Sequence, residues 1–465
     1  MNNKRLITIL SSFVLLLTVF LAGCSNEKVD SKNEKSNGKE KVEITAWLTP
    51  QWKGVLDGSE EGADYDSFLK YAAKKFSEQY EDYDVKVNIE VIAGDQRDEL
   101  LNVNLNGGTP PNIFFESVFA MGDYVHRGAL EPITDIVDDQ AKEDIPKSIW
   151  ENVTFGKDIY FYPFSQNPGT FAYNADMLRA AGLESYIGEE NEIKTWTLKE
   201  FETILNALKT KLPKDQFPNA YPMGLYALNN QADTWNLAYL RMFGNEFFNS
   251  NNEIVVAKDS GIKAAKWMEK IYKSGLTNPG PESVSSNDTN AMFQNQQLAI
   301  NFTNAILYTN AKNDMKNGDL PKFDVRLANI PSESGDPLTF TYVTGAAVFK
   351  SEDKIKTKVS KDFVKFFSTD EELVKSSKNG VPVRSSVAEE FANEQPLFKA
   401  YDENSKYLFT FTGNVAGYNE LRQVLYPELQ AIYTGEKKPE KAIKDYQKKG
   451  NEIIKNAKAD SVIGD

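Results

Sequence analysis

Between residues 42 and 116, apolar and polar positions follow the two periods of an α/β domain. Three segments have the apolar pattern of strands: 42–47, 85–92 and 112–116. Helical periodicity lies between them at 96–104 and at 65–80, where Phe68, Ala72 and Phe76 share one face. Strands that alternate with helices in this way predict an α/β fold with a doubly wound parallel sheet.

The carboxyl ends of these predicted strands carry the first candidate ligand contacts. In a doubly wound sheet, a ligand binds outside the carboxyl ends of the strands. Trp47, Gln51 and Trp52 end or follow the first strand, and Glu116 and Ser117 end the third. Glu116 is the best single polar candidate, and its alternative is a solvated loop carboxylate.

A flexible joint is predicted in the segment 156–183. Pro163 lies inside the aromatic run 159–164, which places this strand at a sheet edge or a bend. The turn-forming residues 165–169 then lead directly into the next extended segment. Because no helix fits between the two strands, we expect the chain to pass here from one lobe to another. Asn167 would then lie where the two lobes face each other.

Amides and aromatic rings recur at element ends further along the chain. The loop 229–235 carries Asn230 and places Trp235 at a helix start, a composition that suits the recognition of hydroxyl groups. An equally weighted alternative is a surface loop with Trp235 in the core. A predicted strand at 340–349 contains Thr344. The candidate platforms for stacking against an apolar face of a ligand are Trp47, Trp52, Trp235, Tyr342 and Tyr418.

Composition narrows the chemistry that this chain can perform. Its net charge of −14 argues against nucleic acid as a partner, because nucleic acid attracts clustered Lys and Arg. The sequence has one Cys and one His, which removes disulfide scaffolds, zinc fingers and most nucleophilic dyads. It also lacks the glycine motifs that bind phosphates or dinucleotides. We therefore expect no catalytic residue, no cofactor and no metal. The acidic segment 57–66 leaves a cation loop open, although a solvated loop is favoured because the spacing differs from a calcium loop.

The first residues have the order of a secretory signal. Lys4 and Arg5 precede an apolar run at 6–21, which ends in Leu21-Ala22-Gly23-Cys24. Residues 1–23 are therefore predicted to be a signal peptide, and Cys24 looks like the lipidated residue of a bacterial lipobox. The alternative is a chance Cys behind an ordinary signal. Residues 25–41 contain almost nothing apolar, so the range 24–41 is predicted to be the lipidated Cys and a disordered linker.

Three motifs in a fixed order resemble one known family. They are Gly156-Lys157 with Tyr160 and Pro163, Tyr173-Asn174 with Gly182-Leu183, and Lys194-Thr195-Trp196-Thr197-Leu198-Lys199-Glu200-Phe201. Together they resemble the extracellular sugar-binding lipoproteins of bacterial ABC importers, the solute-binding protein family 1. The resemblance covers nearly the whole body of the chain and implies a two-lobed, periplasmic-binding-protein-like fold with three interlobe crossings.

The same resemblance implies how the lobes divide and two further cleft contacts. Lobe 1 would comprise 42–165 plus 331–382, and lobe 2 would comprise 170–330 plus 386–465, with the later crossings near Ile330 and Val381. Asn304 lies in a turn that resembles the family's ligand-facing turn, and Arg384 in a segment that resembles its Gly-x-x-Pro-x-Arg. Asn304-Ala305 stands where many relatives have Gly and Trp, so an aromatic platform is missing there.

The expected function is therefore a lipid-anchored receptor at the extracellular face of the cell membrane. It would be a monomer that captures a carbohydrate, preferably an oligosaccharide, and delivers it to the permease subunits of an ABC importer. One alternative is a receptor for a polyamine or a glycerol phosphate. The other is a lipoprotein glycosidase, which needs two carboxylates about 5–9.5 Å apart in one cleft. The sequence leaves the sugar, its length and its linkage undetermined.

Overall fold

The computed structural model describes residues 35–36, 38–52, 64–377, 380–394, 396–404, 407–409 and 414–463. The chain divides into two compact units, 1–41 and 42–465. The predicted signal peptide, Cys24, most of the predicted linker and most of the acidic segment 57–66 lie outside the described residues. Among the helices that are described, none has both the length and the apolar character needed to cross a membrane.

The elements are as follows in chain order. The strands are β1 (Lys35–Ser36), β2 (Lys39–Leu48), β3 (Asp84–Val91), β4 (Ile113–Ser117), β5 (Leu130–Glu131), β6 (Thr154–Phe155), β7 (Asp158–Ile159), β8 (Phe161–Gln166), β9 (Gly169–Asn174), β10 (Ile193–Lys194), β11 (Tyr221–Met223), β12 (Leu298–Asn304), β13 (Val325–Ala328), β14 (Thr339–Phe340), β15 (Val343–Phe349), β16 (Val381–Pro382) and β17 (Leu408–Phe409). The helices are α1 (Ser67–Gln79), α2 (Arg97–Asn106), α3 (Val118–His126), α4 (Asp139–Asp144), α5 (Lys147–Val153), α6 (Ala175–Ala180), α7 (Leu198–Lys211), α8 (Ala232–Met242), α9 (Asp259–Lys273), α10 (Ser286–Gln294), α11 (Ala305–Asn317), α12 (Lys354–Thr369), α13 (Glu371–Ser376), α14 (Ser385–Glu394), α15 (Pro396–Glu403), α16 (Tyr418–Tyr433) and α17 (Pro439–Asp460).

The sheet of the first lobe is mixed, whereas the sequence predicted a parallel one. Its order is β2-β4-β15-β8-β16, with β3 beside β2 and β5 beside β15. Strands β2 and β4 are parallel, whereas β15 runs antiparallel to both β4 and β8. The parallel prediction failed here because β15 comes from the far end of the sequence. The first strand also begins at Lys39, inside the segment predicted as linker.

The sheet of the second lobe is built around β9. Its order is β10-β13-β9-β12-β11, with β14 beside β9 and β17 beside β14. Strand β9 runs antiparallel to β12 and β13, which in turn are parallel to β11 and β10. Every residue of β9 and β12 is buried, as expected for strands in the middle of a covered sheet.

The chain passes between the two sheets at short extended connections. Asn167 and Pro168 join β8 of the first sheet directly to β9 of the second, as the turn chemistry predicted. Thr341 and Tyr342 join β14 back to β15. The sequence placed this return near Ile330, but Ile330 exchanges backbone hydrogen bonds of 2.9 and 2.8 Å with Leu338 and stays in the second lobe. A further passage lies between β16 and β17.

Helix starts follow the expected capping chemistry. Thr197 accepts a hydrogen bond from the Glu200 amide, and Glu200 accepts one from the Thr197 amide, so the predicted capping box is confirmed. A second box, formed by Ser285 and Asp288, begins α10. In α1, the predicted apolar face, which includes Phe68, is buried in the core of the first lobe.

Candidate functional site

A cavity of about 190 Å³ lies between the two lobes. Its first-lobe wall is formed by the loop after β2, the start of α2 and the end of β4. Its second-lobe wall is formed by the starts of α8 and α10 and by the end of β12. This is the crevice at strand ends in which α/β proteins bind ligands.

Most of the residues predicted as ligand contacts line this cavity. They are Gln51, Glu116, Ser117, Asn167, Trp235, Asn304, Tyr342 and Thr344. They come from both lobes and from the two connections between them, so residues far apart in sequence meet at one place. Their position agrees with the sequence analysis, and their role in binding a ligand stays a prediction.

Two predicted stacking platforms lie instead in the core of the first lobe. Trp47 is 6% exposed, and its indole nitrogen donates a 2.9 Å hydrogen bond to Glu90. Trp52 is 1% exposed and packs among aromatic rings that include Phe68 and Phe367. A large apolar ring gains more from burial than from exposure at a loop, so both rings turn inward and neither faces the cavity.

Three other predicted contacts are engaged away from the cavity surface. Arg384 donates a 3.2 Å hydrogen bond to Asp144 and a 2.9 Å bond to the Ser368 carbonyl, which ties together parts of the first lobe. The structure therefore corrects the placement of Arg384 in the cleft. The other two predicted contacts donate hydrogen bonds to buried carboxylates. Tyr418 donates a 2.9 Å bond to Asp233, and Asn230 donates a 2.8 Å bond to Asp98.

Glu116 meets an unpredicted arginine at the cavity wall. Its Oε1 atom accepts a 2.5 Å hydrogen bond from the Ser117 amide, and its Oε2 atom lies 3.4 Å from Nη1 of Arg97. Glu116 is 7% exposed and Arg97 4% exposed, so the ion pair is largely removed from water. Within the described structure, Glu116 Oε2 has no hydrogen-bond donor. A buried acceptor of this kind favours a ligand that brings hydroxyl or amino hydrogens.

Further charges extend from this ion pair. Arg97 also contacts its neighbour Asp98 at 2.9 Å, and Asp98 lies 3.4 Å from Arg422 of α16. Burial by itself would raise the pKa of Asp98, but the charges of Arg97 and Arg422, together with hydrogen bonds from Arg97 and Asn230, hold it below its usual value. Asp98 is therefore ionised, and the charges next to the cavity alternate in sign.

An aromatic ring forms part of the second-lobe wall. The indole of Trp235 stacks on Phe302 with ring centroids 4.8 Å apart and planes at 8°. The sequence left open whether Trp235 lies in the core or at the ligand site, and the structure places it at both, because the ring is packed and also lines the cavity. An indole held in this way offers an apolar edge or face to a sugar ring.

Two amides and a phenol form a fixed polar set at the joint. The Tyr342 hydroxyl accepts hydrogen bonds from the side-chain amides of Asn167 and Asn304, the latter at 3.3 Å. Asn167 in turn accepts a 3.1 Å bond from the Ile306 amide. Burial raises the pKa of Tyr342, so its hydroxyl keeps a proton to donate. These groups can both donate to and accept from a hydroxyl-bearing ligand.

Sequence reasoning missed several residues that line the cavity. They are Arg97, Arg422, Gln231, Ser286, Asn287 and Asn290. The rule that singled out Glu116 also applies to Arg97, which follows the carboxyl end of β3. The amides of α10 carry a weaker signal, since a capped helix start rich in Asn is also common on ordinary surfaces.

Comparison with known proteins identifies the family. The model of the bacterial extracellular solute-binding proteins matches residues 59–373. The chain belongs to this family. Two curated relatives of this solute-binding protein are each 21% identical to it. One is the arabinooligosaccharide-binding protein of Bacillus subtilis, matched over 373 residues, 79% of this chain and 77% of the relative. The other is a putative binding protein of Brucella abortus, matched over 376 residues, 80% and 86%.

Solved structures show the same architecture as this solute-binding protein. A solute-binding protein of Thermotoga lettingae bound to α-D-tagatose has a TM-score of 0.72 at 18% identity, covering 89% of this chain and 99% of its own. An ABC substrate-binding protein of Listeria monocytogenes in complex with cycloalternan has a TM-score of 0.71 at 19% identity, covering 90% and 100%. At these identities the likeness establishes the fold, and the predicted two-lobed α/β architecture is confirmed.

Proposed function

We propose that this solute-binding protein captures a carbohydrate between its lobes and delivers it unchanged to the permease of an ABC importer. The observation that carries the proposal is the lining of the cavity, to which the Trp235 ring, several side-chain amides and the buried Glu116 carboxylate all contribute. A neutral sugar presents an apolar ring face together with hydroxyl groups. This lining offers partners for both.

The relatives support a carbohydrate as the ligand class. One is named for arabinooligosaccharides, and two structural neighbours hold tagatose and cycloalternan. Because these ligands differ in size and linkage, they favour the class without selecting one sugar. The preference for an oligosaccharide rests on the relative named for arabinooligosaccharides and on the neighbour in complex with cycloalternan.

The charges in the cavity disfavour the other solute classes. A polyamine needs several unpaired carboxylates, whereas Glu116 is the only carboxylate among the described residues that line the cavity, and it faces Arg97. A glycerol phosphate needs available cations, whereas Arg97 and Arg422 already contact Asp98. A glycosidase with two carboxylates would need a second acid in this lining.

The cellular setting belongs to the same proposal. Cys24 would carry lipid and hold the monomeric receptor at the extracellular face of the membrane, and the linker predicted within 24–41 would act as a spacer. The name of the matched family, bacterial extracellular solute-binding protein, supports the location. A lipid tether keeps the receptor near the permease while it exchanges ligand.

A thermal-shift screen followed by calorimetric titration tests the ligand class. The panel contains arabino-oligosaccharides, maltose, tagatose, cycloalternan, spermidine and glycerol 3-phosphate. We expect at least one carbohydrate to raise the melting temperature, since a ligand at one hundred times its Kd stabilises the folded state by about 2.7 kcal/mol. Stabilisation by spermidine or glycerol phosphate alone would contradict the proposal, as would release of new reducing ends from an oligosaccharide.

A further inference from the structure

The indole nitrogen atoms of this chain differ in what accepts their hydrogen. A buried tryptophan usually finds a hydrogen-bond acceptor for its N–H group. Four of the six tryptophans follow this rule, donating at 2.9 to 3.0 Å: Trp47 to Glu90, Trp52 to Ser377, Trp196 to the Tyr186 carbonyl and Trp267 to Glu202. The nitrogen of Trp150 is enclosed in the first lobe without an acceptor among the described residues. Trp235 is the remaining one.

The N–H group of Trp235 is a free donor beside the cavity. Within the part of the chain that the structure describes, no atom accepts a hydrogen bond from its Nε1 atom, yet this nitrogen is not enclosed as that of Trp150 is. Trp235 lines the cavity between the lobes. The acceptor for this donor must therefore be a molecule that enters the cavity, either water or the captured solute.

The packing of Trp235 leaves little of its ring for stacking. One face lies against Phe302, and Phe340 meets the ring at 85° with 5.5 Å between the centroids. The six-membered end abuts Gly169, where an added Cβ would come within 2.4 Å of Cη2 and 2.6 Å of Cζ3. Since an aromatic side chain buries at most about 250 Å², the 6% of Trp235 that is exposed amounts to about 15 Å². That area suits contact with one atom and is too small for the face of a sugar ring.

We propose that Trp235 binds the solute as a hydrogen-bond donor, from its indole N–H to a solute oxygen, and not as a stacking platform. Ile306 and Leu307, which line the same cavity, then supply apolar contact in the second lobe. The inference rests on the proposed function for its premise that a solute occupies this cavity.

This donor adds a selection rule to the cavity. An ionised Glu116 can only accept a hydrogen bond, and the Trp235 indole can only donate one. A hydroxyl group satisfies either of them, because it donates and accepts. An ammonium group has donors and no acceptor, so a polyamine would leave the indole N–H unpaired. Donor and acceptor together therefore select solutes that carry oxygen.

Nuclear magnetic resonance of the full chain with isotope-labelled tryptophan tests the inference, because each indole N–H gives its own signal. Replacement of Trp235 by benzothienylalanine, which keeps two fused rings and has sulfur in place of the N–H group, assigns the Trp235 signal. Without solute, we expect the Trp235 hydrogen to exchange with water faster than that of Trp196, which donates to a carbonyl. With maltose, tagatose or arabino-oligosaccharide bound, the Trp235 signal should move downfield and its exchange should slow.

The same replacement measures what the N–H group contributes to affinity. For whichever of these carbohydrates binds, we expect the chain with benzothienylalanine at Trp235 to have a Kd about two- to tenfold higher, because one neutral hydrogen bond is lost. The matched control carries benzothienylalanine at Trp150, whose N–H has no acceptor within the described residues and does not line the cavity. Its Kd should equal that of the natural chain.

The possible results separate this inference from the proposed function. Exchange at Trp235 that is as slow as at Trp196 without solute overturns the inference, and so does an unchanged Trp235 signal when a carbohydrate binds. If only glycerol 3-phosphate binds and shifts the signal, the carbohydrate proposal fails while the donor stands, because phosphate oxygens also accept. Binding of spermidine alone overturns both. If none of these solutes binds, the exchange rate without solute decides whether the donor is free.

Discussion

The indole ring of Trp235 lies nearly parallel to the ring of Phe302, with 4.8 Å between the ring centroids and 8° between the planes. Phe302 belongs to β12, whose neighbour β9 begins at Gly169. A Cβ atom added to Gly169 would come within 2.4 Å of Cη2 of the same indole. The ring that lines the cavity is therefore fixed by the two central strands of the second lobe.

Gly169→Ala should displace this ring. Overpacking of a filled core costs about 1–3 kcal/mol, so we expect the free energy of unfolding to fall by that amount in urea denaturation. Gly94→Ala is the matched control, because its added Cβ would meet its nearest neighbour, Gln231, at 3.4 Å. Equal stability of Gly169→Ala and the natural chain would show that Trp235 is not confined as described.

Glu116→Gln should weaken carbohydrate binding. The carboxylate has one oxygen without a donor, and a hydrogen bond to a charged group contributes about 1.5–3 kcal/mol. We expect Kd to rise about ten- to hundredfold in calorimetric titrations with the best carbohydrate of the screen. Glu151→Gln, which changes an exposed acid of the same lobe, should leave Kd unchanged. An unchanged Kd for Glu116→Gln would remove this carboxylate from the binding site.

The sequence predicted where the cavity lies better than it predicted which side chains line it. The strand-end rule found Glu116 because it depends only on local order: an apolar strand followed by polar residues. The same rule misplaced Trp47, because residues alternate between the faces of a strand and this ring turned to the core side beside Phe114. The direction of a side chain at a strand end depends on the elements that pack against that face of the sheet. The local sequence pattern does not specify those elements.

The pairing of Asp98 with Arg422 was not predictable from local pattern. Arg422 and Asp98 are 324 positions apart, and nothing in the sequence near either residue marks the other. The return crossing was misplaced for a similar reason, since the bridge between Ile330 and Leu338 extends the second lobe beyond the predicted boundary. Long-range pairing decides such features, and it requires either coordinates or many related sequences.

Acid should reduce the stability that Asp98 provides. Its pKa is lower in the folded chain than the value of about 3.9 in an unfolded chain. The ionised carboxylate therefore stabilises the folded state above that value, and the contribution is lost as the pH falls through the folded pKa. We expect the gap in unfolding free energy between the natural chain and Asp98→Asn to shrink from about pH 5 to about pH 3. A gap that widens on acidification would contradict the lowered pKa.

Cys24→Ala should release the receptor from the membrane. Acyl chains on this residue would supply the anchor, because one lipidated residue is the only attachment that the proposal includes. In a bacterial host that processes lipoproteins, we expect the variant in the soluble fraction and the natural chain in the membrane fraction. Ser25→Ala is the neighbouring control. A variant that stays with the membrane would rule out Cys24 as the anchor.

Arg384→Ala should lower the stability of the chain without changing its affinity for the ligand, whereas Glu116→Gln should change the affinity. The guanidinium bonds Asp144 and the Ser368 carbonyl within the first lobe, and it does not line the cavity. Loss of a buried partner costs about 1–3 kcal/mol, so we expect a lower urea midpoint with an unchanged Kd for the carbohydrate. Arg384→Lys keeps the charge and should restore part of the stability. A tenfold rise in Kd for a folded Arg384→Ala variant would return this residue to the ligand site that the family resemblance implied.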